Sequence, residues 1–334
     1  MHFADTEHYR CTVCGGLFRV KVGLGSGENG GVAEEMLECC SCGVQHPVVN
    51  GIPRFVPAEN YASSFGYQWN IHRKTQLDSY TGLPLSRQRL LSASQWSECL
   101  QGQRVLEAGS GAGRFTEVLL QTGAELFSFD YSNAVEGNLA NNGKQPNLHL
   151  FQGDIFNIPL PEGSFDKVGC LGVLQHTPDA EKAFSSLARC VKPGGELVID
   201  VYRADLLAYI HWKYILRPLT KRMAKERLYR VISEITPRLV PLAGLLRRIG
   251  GRAGARLVPI VEYSYLRLPR AMNREWAILD TFDMYSPEHD HPQRISTVRS
   301  WFQSAGFIDV DVRRGPNGIV GRGSKPGMRD GVRQ

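Results

Sequence analysis

Gln103-Arg-Val-Leu-Glu-Ala-Gly109-Ser-Gly111-Ala-Gly113-Arg-Phe-Thr116 is the stretch on which the fold turns: a short apolar strand, a glycine-rich turn, then a helix. Glycines let backbone approach a ligand with no Cβ in the way, and a helix N-terminus presents free N–H groups. The spacing separates two kinds of ligand. A dinucleotide turn follows G-x-G-x-x-G, which would require glycine at position 114. Arg114 stands there, and the third glycine is Gly113. Glu107 ends the strand, where its carboxylate would repel a pyrophosphate but suits a cationic amino-acid group.

Downstream the pattern repeats. A second strand, Glu125-Leu-Phe-Ser-Phe-Asp130, ends in an acid 17 residues after Gly113. At that position a carboxylate can accept hydrogen bonds from both hydroxyls of a ribose. A third strand, His149 to Ile155, ends in Asp154-Ile155, a pair able to bind an adenine amino group and cover the ring. The fourth, Asp166 to Leu174, runs into Gln175-His176-Thr-Pro-Asp179. A helix over 180–190 and the turn Lys192-Pro-Gly-Gly195 lead to a fifth strand, Glu196 to Val201. Strands alternating with helices predict right-handed crossovers, a parallel sheet and ligands at the strand C-termini.

VLEAGSGAGRF, FSFDYS, GDIFNIPLPEGSFDKV, GVLQHTPD and VKPGGELVI, in this order over residues 103–201, resemble the motifs of class I S-adenosylmethionine-dependent methyltransferases of the broad type 11 group. The resemblance implies a Rossmann-like α/β fold with a mostly parallel seven-stranded sheet. It places Glu107, Gly109, Gly111 and Gly113 on the methionine part of S-adenosylmethionine, Asp130 on the ribose, and Asp154 with Ile155 on the adenine. Tyr131 and Leu174 complete the expected cofactor set.

The N-terminus has a different chemistry. Cys11-Thr-Val-Cys14-Gly and Cys39-Cys40-Ser-Cys42-Gly are two knuckles, each able to aim two thiolates at one ion. Together they predict a closed, structural zinc site on Cys11, Cys14, Cys39 and Cys42. The 24 residues between Cys14 and Cys39 exceed the usual spacing, and the glycine-rich run Gly23 to Gly31 would loop out the excess at small entropic cost. Cys40 is out of phase, and His46 is a weaker fourth ligand. With HPVVNGIPRFV after them, the knuckles resemble the Trm112-like zinc ribbon over residues 11–57. Ribbons of that family are often partner or activator modules of methyltransferases. Cys99, Cys170 and Cys190 sit in apolar stretches and read as inert, buried thiols.

Between ribbon and core runs Tyr61-Ala-Ser-Ser-Phe65-Gly-Tyr67-Gln-Trp69-Asn-Ile-His72-Arg73. It either packs as an aromatic helix on the sheet or folds over the cleft. In the second case Tyr67, Trp69 and Arg73 close the site, Arg73 on the methionine carboxylate. After the fifth strand, residues 203–279 form an insertion with helix-like runs at Leu216 to Ile235 and Leu239 to Ile249. The pattern resumes with a helix over 296–305 and strands at Gly306 to Val312 and Asn317 to Gly321. The resulting plan is a ribbon (1–57), linker and lid (58–95), cofactor core (96–202), basic cap (203–279), the rest of the core (280–325) and a tail (326–334). In Asp280 to His291, which lacks the helical spacing of a metal site, Asp283, Tyr285 and His289 are candidates for acceptor binding. His176, just past the fourth strand, is the candidate catalytic base.

Charge and composition narrow the function. The chain carries a formal +6, but residues 201–270 hold fifteen Lys and Arg against four acids. Such a segment suits an anionic partner or a solvated helical face. No apolar run approaches the roughly 20 residues that span a bilayer, and no export signal is legible, so a cytoplasmic protein is expected. The leading expectation is methyl transfer, onto oxygen first, to a small-molecule, glycan or lipid-linked acceptor under the cap, with peripheral membrane contact open to its basic helices. An RNA methyltransferase using ribbon and basic segment is the alternative, and a non-catalytic scaffold the third. The oligomeric state stays open.

Overall fold

The computed structural model describes residues 3–24, 33–57, 60–204 and 212–327. The first of two sheets is an antiparallel ribbon of β1 (Phe18–Leu24), β2 (Ala33–Cys39), β3 (Gln45–Val49) and β4 (Ile52–Pro53). Asn50 and Gly51, both at positive φ, turn β3 into β4, the backbone that a two-residue hairpin loop demands. Most of the glycine-rich run expected to loop out, positions 25–31, lies outside the described residues.

The larger sheet comprises β5 (Arg104–Ala108), β6 (Glu125–Asp130), β7 (Leu148–Gln152), β8 (Phe165–Leu171), β9 (Val191–Val201), β10 (Ile308–Gly315) and β11 (Gly318–Ser324). Their order is β10-β11-β9-β8-β5-β6-β7. The strands from β5 to β9 pair in parallel, and β11 runs antiparallel to β9 and β10. The mostly parallel seven-stranded sheet is the one expected. β9 starts earlier than its motif suggested, because Val191 already pairs with Phe165 of β8; Lys192 to Gly195, with Gly194 at positive φ, bulge out before pairing resumes at Glu196. Helices α4 (Arg114–Leu120), α5 (Val135–Asn142) and α6 (Ala180–Cys190) make the crossovers that parallel neighbours need, and α10 (Ile295–Ser304) precedes the final hairpin. β5 has β6 on one side and β8 on the other, so the direction of winding reverses there and a crevice opens beyond the strand C-termini.

The ribbon is fused to this core rather than tethered to it. Tyr9, Phe18 and Leu37 share one buried cluster with Phe127, Phe129 and Phe151 of the large sheet. Beyond β4, Arg54 bridges in parallel to Gln152 of β7, and Phe55 N–H donates to the Gln152 carbonyl at 2.9 Å. The ribbon thereby covers the β7 edge, which would otherwise present unpaired backbone groups. Arg54 also holds Glu136 of α5 and donates to Gln152 Oε1 at 3.2 Å.

Above the crevice lie a lid, α1 (Ser63–Ile71), α2 (Asp78–Thr81) and α3 (Leu85–Ser94), and a cap, α7 (Trp212–Thr220), α8 (Lys225–Ala255) and α9 (Arg270–Tyr285). The cap departs from the expected helical runs. The first run breaks between α7 and α8, and α8 continues through Pro237 and Pro241 until it kinks at Gly250 and Gly251, whose backbone is non-helical. α9 crosses position 280, so Asp280 and Asp283 do stand on a helix, three residues apart.

Candidate active site

β5 ends at Ala108 and the chain turns through Gly109, Gly111 and Gly113, all at positive φ. The Gly109 and Ser110 amides donate to the Phe129 carbonyl at 2.8 and 2.9 Å, and the Gly111 amide to Asp130 Oδ2 at 2.9 Å. The turn is thus fastened to the end of β6. A Cβ on Gly111 would stand 3.3 Å from the Trp69 indole, so bare backbone is what lets the lid lie on the loop. Asp130 Oδ1 accepts from the amide and hydroxyl of Ser132. Burial raises the Asp130 pKa, a cost that hydrogen-bond donors on a bound ligand would offset.

A cavity of about 840 Å³ opens on this turn. Gly109, Gly111, Asp130, Tyr131 and Ile155 line one side, with Trp69 and Arg73 of the lid above them. Facing them are Gly172, Val173, His176 and Tyr202 from beyond β8 and β9, and Tyr263, Asp280 and Asp283 from the cap. Tyr61 stacks on Tyr131 with ring centres 4.7 Å apart, closing the end near Ile155. A bare backbone loop, a carboxylate beside it and an aromatic-aliphatic end are groups able to receive an amino-acid part, a ribose and an adenine, so these residues fit S-adenosylmethionine.

Other expected site residues stand back from the cavity. Glu107 is buried behind the turn, where its Oε2 accepts from Thr116 and Ser128 while Oε1 has no partner; burial lifts its pKa to about 7. Gly113, at the start of α4, faces Asn138 and Asn142. Asp154 accepts from the Phe156 amide, and Leu174 is packed in the core. Tyr285 donates its hydroxyl to the Pro259 carbonyl, bracing the cap from within. Tyr67 turns away from Trp69, because residues two apart on a helix point to nearly opposite sides; it packs on Tyr229 and Phe282 of the cap. Arg73 stays on the cavity wall, 3.5 Å from Asn141 Oδ1.

His176 sits between Phe65 and Tyr202. Its Nδ1 lies 3.1 Å from the His289 carbonyl, which can only accept, so the proton is on Nδ1 and Nε2 keeps its lone pair. Burial, partly opposed by Asp283, lowers the His176 pKa and keeps the ring neutral. His289 therefore contributes its backbone, while its ring rests against Tyr61. Asp283 accepts from Gln68 at 3.1 Å and from Tyr202 at 3.4 Å.

Several cavity groups had no local signal in the sequence. Arg89 makes three bonds of 2.7–3.1 Å to Asp200, 111 positions away, and Asn317 adds a fourth at 3.1 Å. Arg114 donates to Ser86 and Gln76, and Gln76 passes a hydrogen bond on to Asp280 at 3.0 Å. Asp280 also accepts from Tyr263, and burial raises its pKa to about 6.

In the ribbon, the sulfurs of Cys11, Cys14, Cys39 and Cys42 all lie within 4.8 Å of one another, with Cys11–Cys42 at 3.6 Å and Cys14–Cys39 at 3.4 Å. Four thiolates around zinc at about 2.3 Å stand roughly 3.8 Å apart, so these residues fit that ion. Cys40 is exposed and outside the group, and His46 packs against Phe18 and Phe55. Of the three cysteines expected to be buried, Cys170 and Cys190 are, but Cys99 is exposed in the segment before β5.

Residues 106–199 match the family described as the methyltransferase domain. The core holds a methyltransferase domain. Among curated relatives, the ubiquinone biosynthesis O-methyltransferase of Coxiella burnetii is 30% identical over 114 residues, 34% of this chain and 49% of that protein. An uncharacterized protein of Synechococcus sp. is 27% identical over 260 residues, 72% of this chain and 53% of its own length. The chain thus spans about half the length of these relatives. Human N-acetylserotonin methyltransferase in complex with S-adenosylmethionine is a structural neighbour at 16% identity and a TM-score of 0.44, covering 82% of this chain and 61% of that one. The match to the methyltransferase domain runs from within β5 to within β9, so ribbon, lid and cap lie outside it. No helix among the described residues is long and apolar enough to cross a membrane.

Proposed function

We propose that this chain methylates an oxygen of a small-molecule, glycan or lipid-linked acceptor held between the methyltransferase core and the cap. One observation carries the reading: the glycine turn and Asp130 share a single chamber with His176 and the cap carboxylates. S-adenosylmethionine, when bound, supplies an electrophilic methyl group on a sulfonium. Gly109 and Gly111 would hold its methionine part, Arg73 its carboxylate, Asp130 its ribose, and Tyr131 with Ile155 its adenine. His176 Nε2 accepts the hydroxyl proton of the acceptor while Nδ1–H stays on the His289 carbonyl, which holds the ring in one tautomer. Trp69 excludes water, and Asp283 with Tyr202 orients the acceptor from the cap side. The name of the Coxiella relative supports oxygen as the target. The ribbon thiolates would hold one structural zinc ion, and the six-part division from ribbon to tail belongs to the same proposal, with α9 spanning its boundary at 280. RNA remains the alternative acceptor because the cap is basic, but a chamber walled by lid and cap suits a compact molecule.

Calorimetric titration with S-adenosylmethionine, on the native chain and on Asp130→Ala, tests the proposal. Binding that the substitution weakens at least about tenfold is expected, as loss of paired hydrogen bonds to a charged group predicts. A folded chain that ignores the cofactor would overturn it and leave the scaffold reading.

A further inference from the structure

We propose that the outer face of the cap docks on an anionic lipid surface. Along α8, Val231, Ile235, Leu242, Leu245 and Ile249 follow one another at intervals of four, seven, three and four, which aligns them on one side of the helix. All five are 39–78% exposed. The side of α8 that the protein buries lies about a quarter turn round the helix from this row, with Leu228 and Ile232 against Phe282 and Tyr285, and Ala243 against Val258 and Ile260. On α7, Ile215 and Leu219 are exposed as well, four apart. Single exposed aliphatics are ordinary; a row of five along about 27 Å of helix is not.

Charge identifies the partner. Between 212 and 256 the sequence places twelve Lys and Arg against two acids. Lys213, Arg217 and Arg247 pair with Asp290 and Glu262. Arg222, Arg227, Arg230, Arg248 and Arg256 are exposed and take part in no ion pair among the described residues. A second copy of the chain would set like charge against like charge. RNA would satisfy the guanidinium groups but leave the aliphatic row unmatched, since it holds no aromatic ring on which bases stack. An anionic bilayer surface takes both: aliphatic side chains enter the acyl boundary while arginines stay among the head groups.

Vesicle sedimentation tests this, using phosphatidylcholine vesicles with and without about 30% phosphatidylglycerol, each at low and at roughly 0.5 M salt. The native chain should bind the anionic vesicles, and at least about tenfold less to neutral ones or at high salt, since each basic contact contributes roughly fivefold. A variant with Ile235→Ser, Leu245→Ser and Ile249→Ser should lose the binding about tenfold while its melting temperature and S-adenosylmethionine titration stay as they were. Native protein left in the supernatant would overturn the proposal, as would a serine variant that sediments undiminished. So would a native dimer that the serine variant dissolves, which would assign the row to a second copy. RNA binding at equal strength by native chain and serine variant, with no vesicle binding, would assign the arginines to nucleic acid.

Discussion

His176 holds one ring nitrogen on a carbonyl and leaves the other to the cavity, the arrangement of a base whose tautomer is set by its neighbour. Burial lowers its pKa below the ordinary 6.5, and a base acts in its unprotonated form. kcat/KM should therefore be flat at neutral and mildly alkaline pH and fall only below pH 6.5, as the ring gains a proton. His176→Asn should cut kcat by about 10²- to 10⁴-fold and abolish that acid limb, with cofactor affinity little changed. A variant that keeps the limb would reduce His176 to a wall of the pocket. At this scale, what the sequence made legible was local. Gly109, Gly111 and Asp130 belong to a strand-turn-helix and the next strand end, so their spacing reports their meeting. Arg89 and Asp200 meet only because α3 lies over the end of β9, and nothing near either residue announces the other.

The lid shows how one helix serves two surfaces. Trp69 lies on the Gly111 backbone while Tyr67 packs on the cap, so α1 joins the glycine turn to the cap through a single element. Gly111→Ala tests the first contact. Its φ of +53° is strained for a side chain, and the new Cβ would press on the indole. We expect S-adenosylmethionine affinity to drop about tenfold, with Trp69 fluorescence altered in the free protein. Unchanged affinity would mean that the indole does not contribute to the cofactor site. The core strands, α4 and α6 were legible as apolar stretches bounded by glycine and proline turns, whereas nothing announced α5. The cap was legible as helical but not in its joints: proline and glycine argue for breaks, yet α8 passes two prolines and bends only at the glycine pair. Tertiary packing against α9 overrides the local preference there.

As a whole, the described molecule is one core with a four-cysteine corner. The cysteine spacing announced the ribbon, but no motif announced that Tyr9, Phe18 and Leu37 would pack into the same cluster as the large sheet. Long-range burial of this kind leaves no period in the sequence. If the cluster is shared, removing metal should be felt at the cofactor site. Thermal unfolding with a strong chelator, or of Cys11→Ser, should show a single transition displaced downward by several degrees, as losing about 2–4 kcal/mol does for a chain of this size. Two separated transitions would show instead that the ribbon melts alone.

The segment that leads from β4 onto the edge of β7 has a consequence for regulation. An activator that arrives as a separate molecule can be rationed, swapped or withheld. A ribbon stitched into the sheet cannot. Metal shortage would then set how many copies of the enzyme mature rather than how fast each one turns over, and its signature would be protein abundance, not kinetics.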